Sequence, residues 1–377
     1  MKNTIGKAAI DIGNDSIKSL FESPSNQILI PNLVAEIGIN RNVKEYEKDV
    51  LDGIHIEITS GALKRKHGVY AVGNLAKQQH NYSELAIHSK KCENDQSLIL
   101  LLTSLAINAV QSGIFSSNEE IIEAKYYLST GLPILEATLD ERKQFRDKLQ
   151  KNTHEIRFLQ TPLLQGKTVR ITFEKVFVNL EGLASFINLS KNNEELIQQE
   201  MMIIDIGGLT TDVAVIQKAT VNNTMSTGYS EGVSPYLDRI INRVRSEIGY
   251  PIKTRKDIVE IIINNNPTDK NHVYVYGNRT CVSHIVEEEL MKLARKQYYY
   301  MLDIWNQVPS LRIAYFVGGG AIVLKDYLEA IINKEDKNFP IRFLRTNDSI
   351  WSMAESYFSI LETWLNTLHK ENINNVG

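Results

Sequence analysis

One pattern, written twice, constrains this chain more than anything else in it. Ala9-Ile10-Asp11-Ile12-Gly13-Asn14-Asp15-Ser16-Ile17-Lys18 and Ile203-Ile204-Asp205-Ile206-Gly207-Gly208-Leu209-Thr210-Thr211-Asp212 both run apolar strand, Asp, Ile, Gly, polar turn, strand. The apolar run anchors each hairpin in a core, and the glycine lets the backbone bend and approach a ligand closely. The N–H groups of such a turn converge on an anion. Hydroxyls at Ser16, Thr210 and Thr211 can add donors. Bare phosphate would repel an aspartate, so Asp11 and Asp205 make sense with a hydrated Mg2+ held between carboxylate and phosphate. One such hairpin is usually only a hairpin. Two, half a chain apart, suggest duplicated domains that grip one phosphate chain from both sides.

The remaining pattern is mixed α/β. At roughly 100–200 residues per domain, 377 residues imply two or three domains. Strands are expected at 7–12, 17–21, 54–58, 69–72, 125–130, 168–178, 201–206, 212–216 and 313–317, with more strand-like sequence in 26–40 and 51–74. Gly131-Leu132-Pro133 is expected to stop the strand before it. Helices are expected at 97–110, a long apolar run, at 137–149 and 234–248, where the apolar residues keep a helical period, and at 181–189, 282–305, 324–332 and 350–368. Residues 190–193 read as a turn, and 264–271, with Pro267, as a polar loop.

Composition removes several function classes. The net charge is −3 and no long basic run occurs, so direct nucleic-acid binding is not expected. Lys64-Arg65-Lys66-His67 reads as a solvated turn. Cys92 and Cys281 lack metal-ligand spacing, which excludes a zinc site or disulfide scaffold and favours the cytoplasm. The histidines show no paired metal spacing. Met1 to Gly6 leads into a strand without an apolar h-region, so no signal peptide is expected. No run approaches 18 apolar residues, and no membrane partner is expected. Tyr298-Tyr299-Tyr300 point three ways on a helix and read as packing rather than a stacking platform.

Taken in order, these motifs resemble the superfamily of actin, heat-shock chaperones and sugar kinases, and within it the bacterial plasmid-segregation actins of the ParM and Alp type. Asp11-Ile12-Gly13 through Lys18 resembles the first phosphate motif, and Asp205 through Asp212 the second. Val317-Gly318-Gly319-Gly320-Ala321 resembles the adenosine motif, and Glu181-Gly182-Leu183-Ala184 the first connecting segment. Val72-Gly73-Asn74, Thr130-Gly131-Leu132-Pro133 and Gly232-Val233-Ser234 resemble further ParM-like signatures. Two departures stand out: Leu180 replaces the usual proline before the connecting Glu, and Ser352-Met353-Ala354-Glu355-Ser356 lacks the glycine of the second connection.

The resemblance implies an actin-like, ribonuclease-H-like duplicated fold with two facing domains and a nucleotide cleft between them. Domain I would take residues 1–180 plus 349–377, with a small subdomain at about 31–74. Domain II would take 181–348, with a small subdomain at about 233–280. It implies Mg2+-dependent ATP hydrolysis, with GTP left open. Glu181 would orient the attacking water, while Asp11 and Asp205 would hold the hydrated metal. Gly13, Asn14, Asp15, Ser16, Lys18, Gly207, Gly208, Leu209, Thr210, Thr211, Gly232, Gly318, Gly319, Gly320 and Ala321 would line the nucleotide. Lys292 and Arg295 fall near the adenosine or simply on a solvated helix face. The implied activity is nucleotide-driven self-association into filaments, coupled to plasmid DNA through an adaptor DNA-binding protein.

Three rivals share the superfamily. A small-molecule kinase tends to carry a substrate Asp base and longer insertions, and neither is evident. A chaperone ATPase is expected to continue into a peptide-binding domain. A membrane-tethered cell-division homologue is expected to carry an amphipathic anchor, unlike Asn372-Ile373-Asn374-Asn375-Val376-Gly377.

Overall fold

The structure is a computed structural model that describes residues 4–84, 90–117, 121–181, 199–218, 220–222, 224–335, 339–343 and 346–374. It divides into two compact units, one of Met1–Leu132, Glu136–Leu180 and Met353–Gly377, the other of Pro133–Leu135 and Glu181–Ser352.

The first unit is built on one sheet. Its strands are β1 (Ile5–Ile12), β2 (Ser16–Phe21), β3 (Ser23–Pro31), β4 (Leu33–Glu36), β5 (Ile54–Ser60), β6 (His67–Val72), β7 (Ser83–Glu84), β8 (Ser116–Ser117), β9 (Ile121–Leu132), β10 (His154–Phe158) and β11 (Thr168–Leu180). They lie in the order β3-β2-β1-β9-β11-β10-β5-β6-β4-β7, with β8 beside β9. β1 and β11 both run parallel to β9, so their carboxyl ends share one sheet edge. The helices here are α1 (Asn74–Lys77), α2 (Asp95–Ser112) and α3 (Leu139–Gln150). Nearly every residue of α2 from Gln96 to Ala109 is buried, as a long apolar run without a polar stripe requires. Two of its polar side chains are satisfied locally: Ser104 Oγ donates to Ser19 Oγ at 2.7 Å, and Tyr126 OH donates to Asn108 Oδ1 at 2.9 Å. Asn94 caps its start and Gly113, at φ 64°, ends it.

The second unit has a smaller sheet of β12 (Met201–Ile206), β13 (Thr211–Gln217), β14 (Thr220–Val221), β15 (Thr227–Tyr229), β18 (Ile313–Val317) and β19 (Ile341–Phe343). A separate hairpin pairs β16 (His272–Val275) with β17 (Asn278–Cys281). Its helices are α4 (Ser234–Arg243), α5 (Arg255–Ile262), α6 (Ser283–Gln307) and α7 (Gly318–Lys334). The last helix, α8 (Thr346–Asn374), carries residues of both units, with the division after Ser352. The central strands Met202, Ile204 and Val215 pack with Leu237, Leu290, Leu293 and Leu324 into the unit's core.

Four expectations need correction. Gly131 does not stop its strand: β9 continues to Leu132, and Gly131 pairs with Asn179 while Tyr357 OH fills the space where a side chain would be. The helix expected from Leu324 already begins at the triple glycine, at Gly318. The segment 234–248 changes winding at Val244, where a π-turn takes over to Ile248. Sequence periodicity also passes over α5 and the 272–281 hairpin, each too short to show a period. The helix expected at 181–189 and the turn at 190–193 fall, after Glu181, outside the described residues. The Lys64–His67 turn is solvated as expected, its charge met by Glu36 on Arg65 and by Glu57 on His67. Tyr298 is buried, Tyr299 exposed and Tyr300 stacked on Tyr229 at 3.7 Å, which is packing in three directions.

Two fully buried imidazoles give the first unit an acid sensitivity. His154 donates from Nε2 to Leu149 O at 2.9 Å and accepts from Ser60 Oγ at Nδ1, 2.7 Å away. His55 donates from Nε2 to Gly38 O at 3.0 Å, and its Nδ1 has no partner. Burial lowers the pKa of both rings below the usual imidazole value. The folded unit therefore resists protonation that the unfolded chain accepts. Stability is full above about pH 6.5 and falls as the pH drops through that value. We expect the calorimetric melting midpoint to decline between pH 7 and pH 5. A level midpoint would mean that both rings charge freely in the folded protein.

Candidate functional site

The first repeat forms the hairpin of β1 and β2, with Asp11 directly across from Lys18. Asp11 is nearly buried, and Lys18 Nζ donates to its Oδ2 at 3.2 Å. Residues Gly13, Asn14, Asp15 and Ser16 make the turn. A first side-chain carbon at Gly13 would stand 2.6 Å from Ser16 O and 3.0 Å from Lys18 Nζ, so the lysine head lies against bare backbone. Asn14 Oδ1 is shielded from solvent and accepts no hydrogen bond, an unusual cost for a turn residue unless a ligand supplies the donor. Behind the turn stands Asn32, whose Nδ2 donates to Gly13 O and whose main-chain N donates to Asp15 O, each at 2.8 Å.

The second repeat forms the hairpin of β12 and β13, with Asp205 across from Asp212. Gly207 N donates to Thr210 O at 2.9 Å and closes the turn. Two amides at the start of α4 hold it from behind: Val233 N donates to Gly207 O at 3.1 Å and Ser234 N to Gly208 O at 2.7 Å. This explains Gly232, because a side chain there would overlap the Gly208 carbonyl and come within 2.6 Å of Leu209 N. β12 runs parallel to β18 with Asp205 beside Val317, so the triple glycine follows at the same edge. Gly318 has φ 86°, and a side chain on it would overlap Asp205 Oδ1 and approach Ile206 O to 2.7 Å. Gly320 also packs on Ile206, whereas nothing lies within 4 Å of the space in front of Gly319. The first turn of α7, Gly318 to Ala321, has no side-chain cap. Uncapped N–H groups at a helix start favour an anion or other acceptor.

The hairpins therefore bring Asp11, Gly13, Asn14, Asp15, Ser16 and Lys18 together in one unit. In the other they bring together Asp205, Gly207, Gly208, Leu209, Thr210, Thr211, Gly232, Gly318, Gly319, Gly320 and Ala321. Glu181, the residue after β11, is nearly buried. One placement follows the solvated-face alternative, and one differs from expectation. Lys292 donates to Glu288 at 2.9 Å and to Glu289 at 2.8 Å, both on its own helix α6, and Arg295 is exposed. The hydroxyls of Thr210 and Thr211 do not point outward as donors: they reach Asp212 Oδ2 at 3.2 Å and Glu231 O at 2.7 Å.

The roles of four residues escaped the sequence reading, Asp212 having appeared there only as the end of a motif. One helical turn beyond Lys292, Lys296 Nζ donates to Glu231 Oε1 at 2.6 Å, beside Gly232. Burial disfavours the Glu231 carboxylate, but the bonds from Lys296 and Tyr236 outweigh it and hold its pKa below the usual carboxyl range. Asp212, almost fully buried, accepts from Ile134 N at 2.6 Å and so fastens residues 133–135 to the second unit. Asn32 is the fourth, and only the pairing of β2 with β3 reveals it.

Among the described residues no group of three or more His, Cys, Asp or Glu could hold a metal unaided. Taken singly, each within its own unit, the carboxylates of Asp11 and of Asp205 are hard oxygen donors of the kind Mg2+ takes beside water and phosphate. Among the described residues no helix is long and apolar enough to cross a membrane.

Comparison with known proteins bears on the family and the fold. Residues 9–183 match the family described as the N-terminal domain of actin-like proteins. Residues 200–339 match the family described as the Alp7A C-terminal domain. No curated protein matches the sequence significantly. Among solved structures, Bacillus thuringiensis ParM with ADP is 21% identical, with TM-score 0.69, over 96% of this chain and 99% of that one. The same ParM with ATP is 22% identical, with TM-score 0.69, over 97% and 99%. A 15-stranded ParM filament from Clostridium botulinum is 18% identical, with TM-score 0.73, over 96% and 99%.

Proposed function

Because the chain is an actin-like protein with the fold of the ParM plasmid-segregation actins, we propose that it is a Mg2+-dependent ATPase whose nucleotide state governs its assembly into filaments. The observation that carries this reading is the pair of glycine turns. Each follows a buried strand whose last residue but one is an aspartate, and each has its carbonyls held from behind. In a trans peptide the N–H points away from its carbonyl, so pinning the carbonyls aims the amides. Amides of both turns would bind one phosphate chain, with Lys18 adding a compact positive charge. Bound Mg2+ would supply charge neutralisation on the phosphates. The nucleoside would lie in the open space at Gly319.

Glu181 would orient the attacking water. Phosphoryl transfer of this kind rests on positioning and electrostatics, so few groups are needed. Binding would favour closure of the two units, and hydrolysis would release it. Filaments would follow from head-to-tail contacts that do not close on themselves. Plasmid segregation through an adaptor DNA-binding protein is the cellular role we propose, in the cytoplasm. The near-neutral charge agrees with indirect contact to DNA.

The test is to add Mg-ATP to the purified chain and follow light scattering and phosphate release together, then image the product. Scattering that rises with ATP, with filaments in the images and phosphate released afterwards, is expected. Phosphate release without polymer would point instead to a kinase or chaperone ATPase. Parallel runs with GTP settle the base.

A further inference from the structure

We infer that Asn32 is a positioning residue that aims the amides of the first phosphate turn. The inference rests on the phosphate-binding reading above. Asn32 is 1% exposed and sits at the junction of β3 and β4. Its side-chain Nδ2 and its main-chain N hold the carbonyls of Gly13 and Asp15, one at each end of the turn. All peptide bonds in the described chain are trans. The Gly13–Asn14 and Asp15–Ser16 planes are thereby fixed, with the N–H of Asn14 and of Ser16 facing away from Asn32. The Asn32 amide is oriented in turn. Gln96 Nε2, at the start of α2, donates to Asn32 Oδ1 at 2.8 Å and to Asn32 O at 3.0 Å. The main-chain carbonyls of Asn32 and of Ser83, the latter 3.3 Å from Gln96 Nε2, can only accept and so fix which end of that amide faces Asn32. The chain Ser83–Gln96–Asn32–Gly13 leaves the Asn32 NH2 facing the turn. The second unit does the same work with main-chain amides of α4, so a buried side chain is needed only in the first.

The substitution that isolates this role is Asn32→Asp. It keeps size and the main-chain bond but sets a carboxylate oxygen against the Gly13 carbonyl, which must rotate and carry the Asn14 N–H out of line. Titration calorimetry of the full chain with Mg-ADP and with adenosine reads the result. We expect the Mg-ADP affinity to fall about tenfold or more, the value of one charge-facing hydrogen bond. Adenosine, which has no phosphate for the turn to hold, should bind as to wild type. Equal affinities for Mg-ADP in wild type and variant would overturn the inference alone. Parallel losses for ADP and adenosine would also overturn it, by showing a merely structural role. A wild-type chain that binds no Mg-ADP would overturn the phosphate reading itself. Gln96→Glu, which cannot donate to Asn32 Oδ1, is the second variant should Asn32→Asp not fold. The same selective loss, smaller in size, is expected of it.

Discussion

Glu181→Ala should bind Mg-ATP as tightly as wild type and release phosphate about 10²- to 10⁴-fold more slowly, the range for removing a group that orients or deprotonates a nucleophile. Glu181 follows the last residue of β11, and only about a tenth of it is exposed. Methyl for carboxylate removes the acceptor but no part of either glycine turn, so affinity should hold while turnover falls. If hydrolysis is what loosens the polymer, Glu181→Ala filaments outlast those of wild type in a sedimentation time course. Glu181→Gln keeps one acceptor oxygen and should fall between the two. Single-turnover phosphate release at saturating ATP is the deciding measurement. A rate unchanged from wild type would remove Glu181 from the reaction.

The strands on either side of each glycine turn could be read directly because they are apolar runs stopped by Gly13 and Gly207, and burial dictates both the run and the stop. α2 was legible as an apolar run too long for a strand, and α6 because its length leaves room for a helical period. Short elements were not. α5 has eight residues, and its real signal was the capping box of Thr254 and Asp257, not its hydrophobic pattern. The hairpin of β16 and β17 was marked only by Tyr276-Gly277 at its turn, both with positive φ.

The site divides along the same line. Residues inside a motif, such as Asp11, Gly13 and Gly318, announce themselves by local sequence. Their supports do not. Asn32 reaches Gly13 across nineteen positions and Lys296 reaches Glu231 across sixty-five, separations that no single-sequence pattern encodes. The three glycines after β18 show the limit most sharply. Sequence treats them alike, and only the packed strand beneath them reveals that they are under different constraints.

That difference supplies a second large effect. Gly318→Ala should lower the stability of the chain by about 2–3 kcal/mol with or without nucleotide, because φ 86° is strained for any L side chain and the new carbon meets Asp205 and Ile206. Gly319→Ala meets nothing. It replaces a helical glycine in the first turn of α7, so the unliganded melting midpoint should hold or rise, with up to about 1 kcal/mol of helix propensity gained. Its cost should appear only with ligand, as a loss of about tenfold or more in affinity for ADP and for adenosine alike, since the methyl takes up space proposed for the nucleoside. Melting curves without nucleotide, paired with calorimetric titrations of both ligands, separate the outcomes. Asn32→Asp should spare adenosine, Gly319→Ala should not, and Gly318→Ala should be visible before any ligand is added. If Gly319→Ala bound adenosine as well as wild type does, the base and ribose would have to lie elsewhere, and the opening at the start of α7 would be packing space without a ligand.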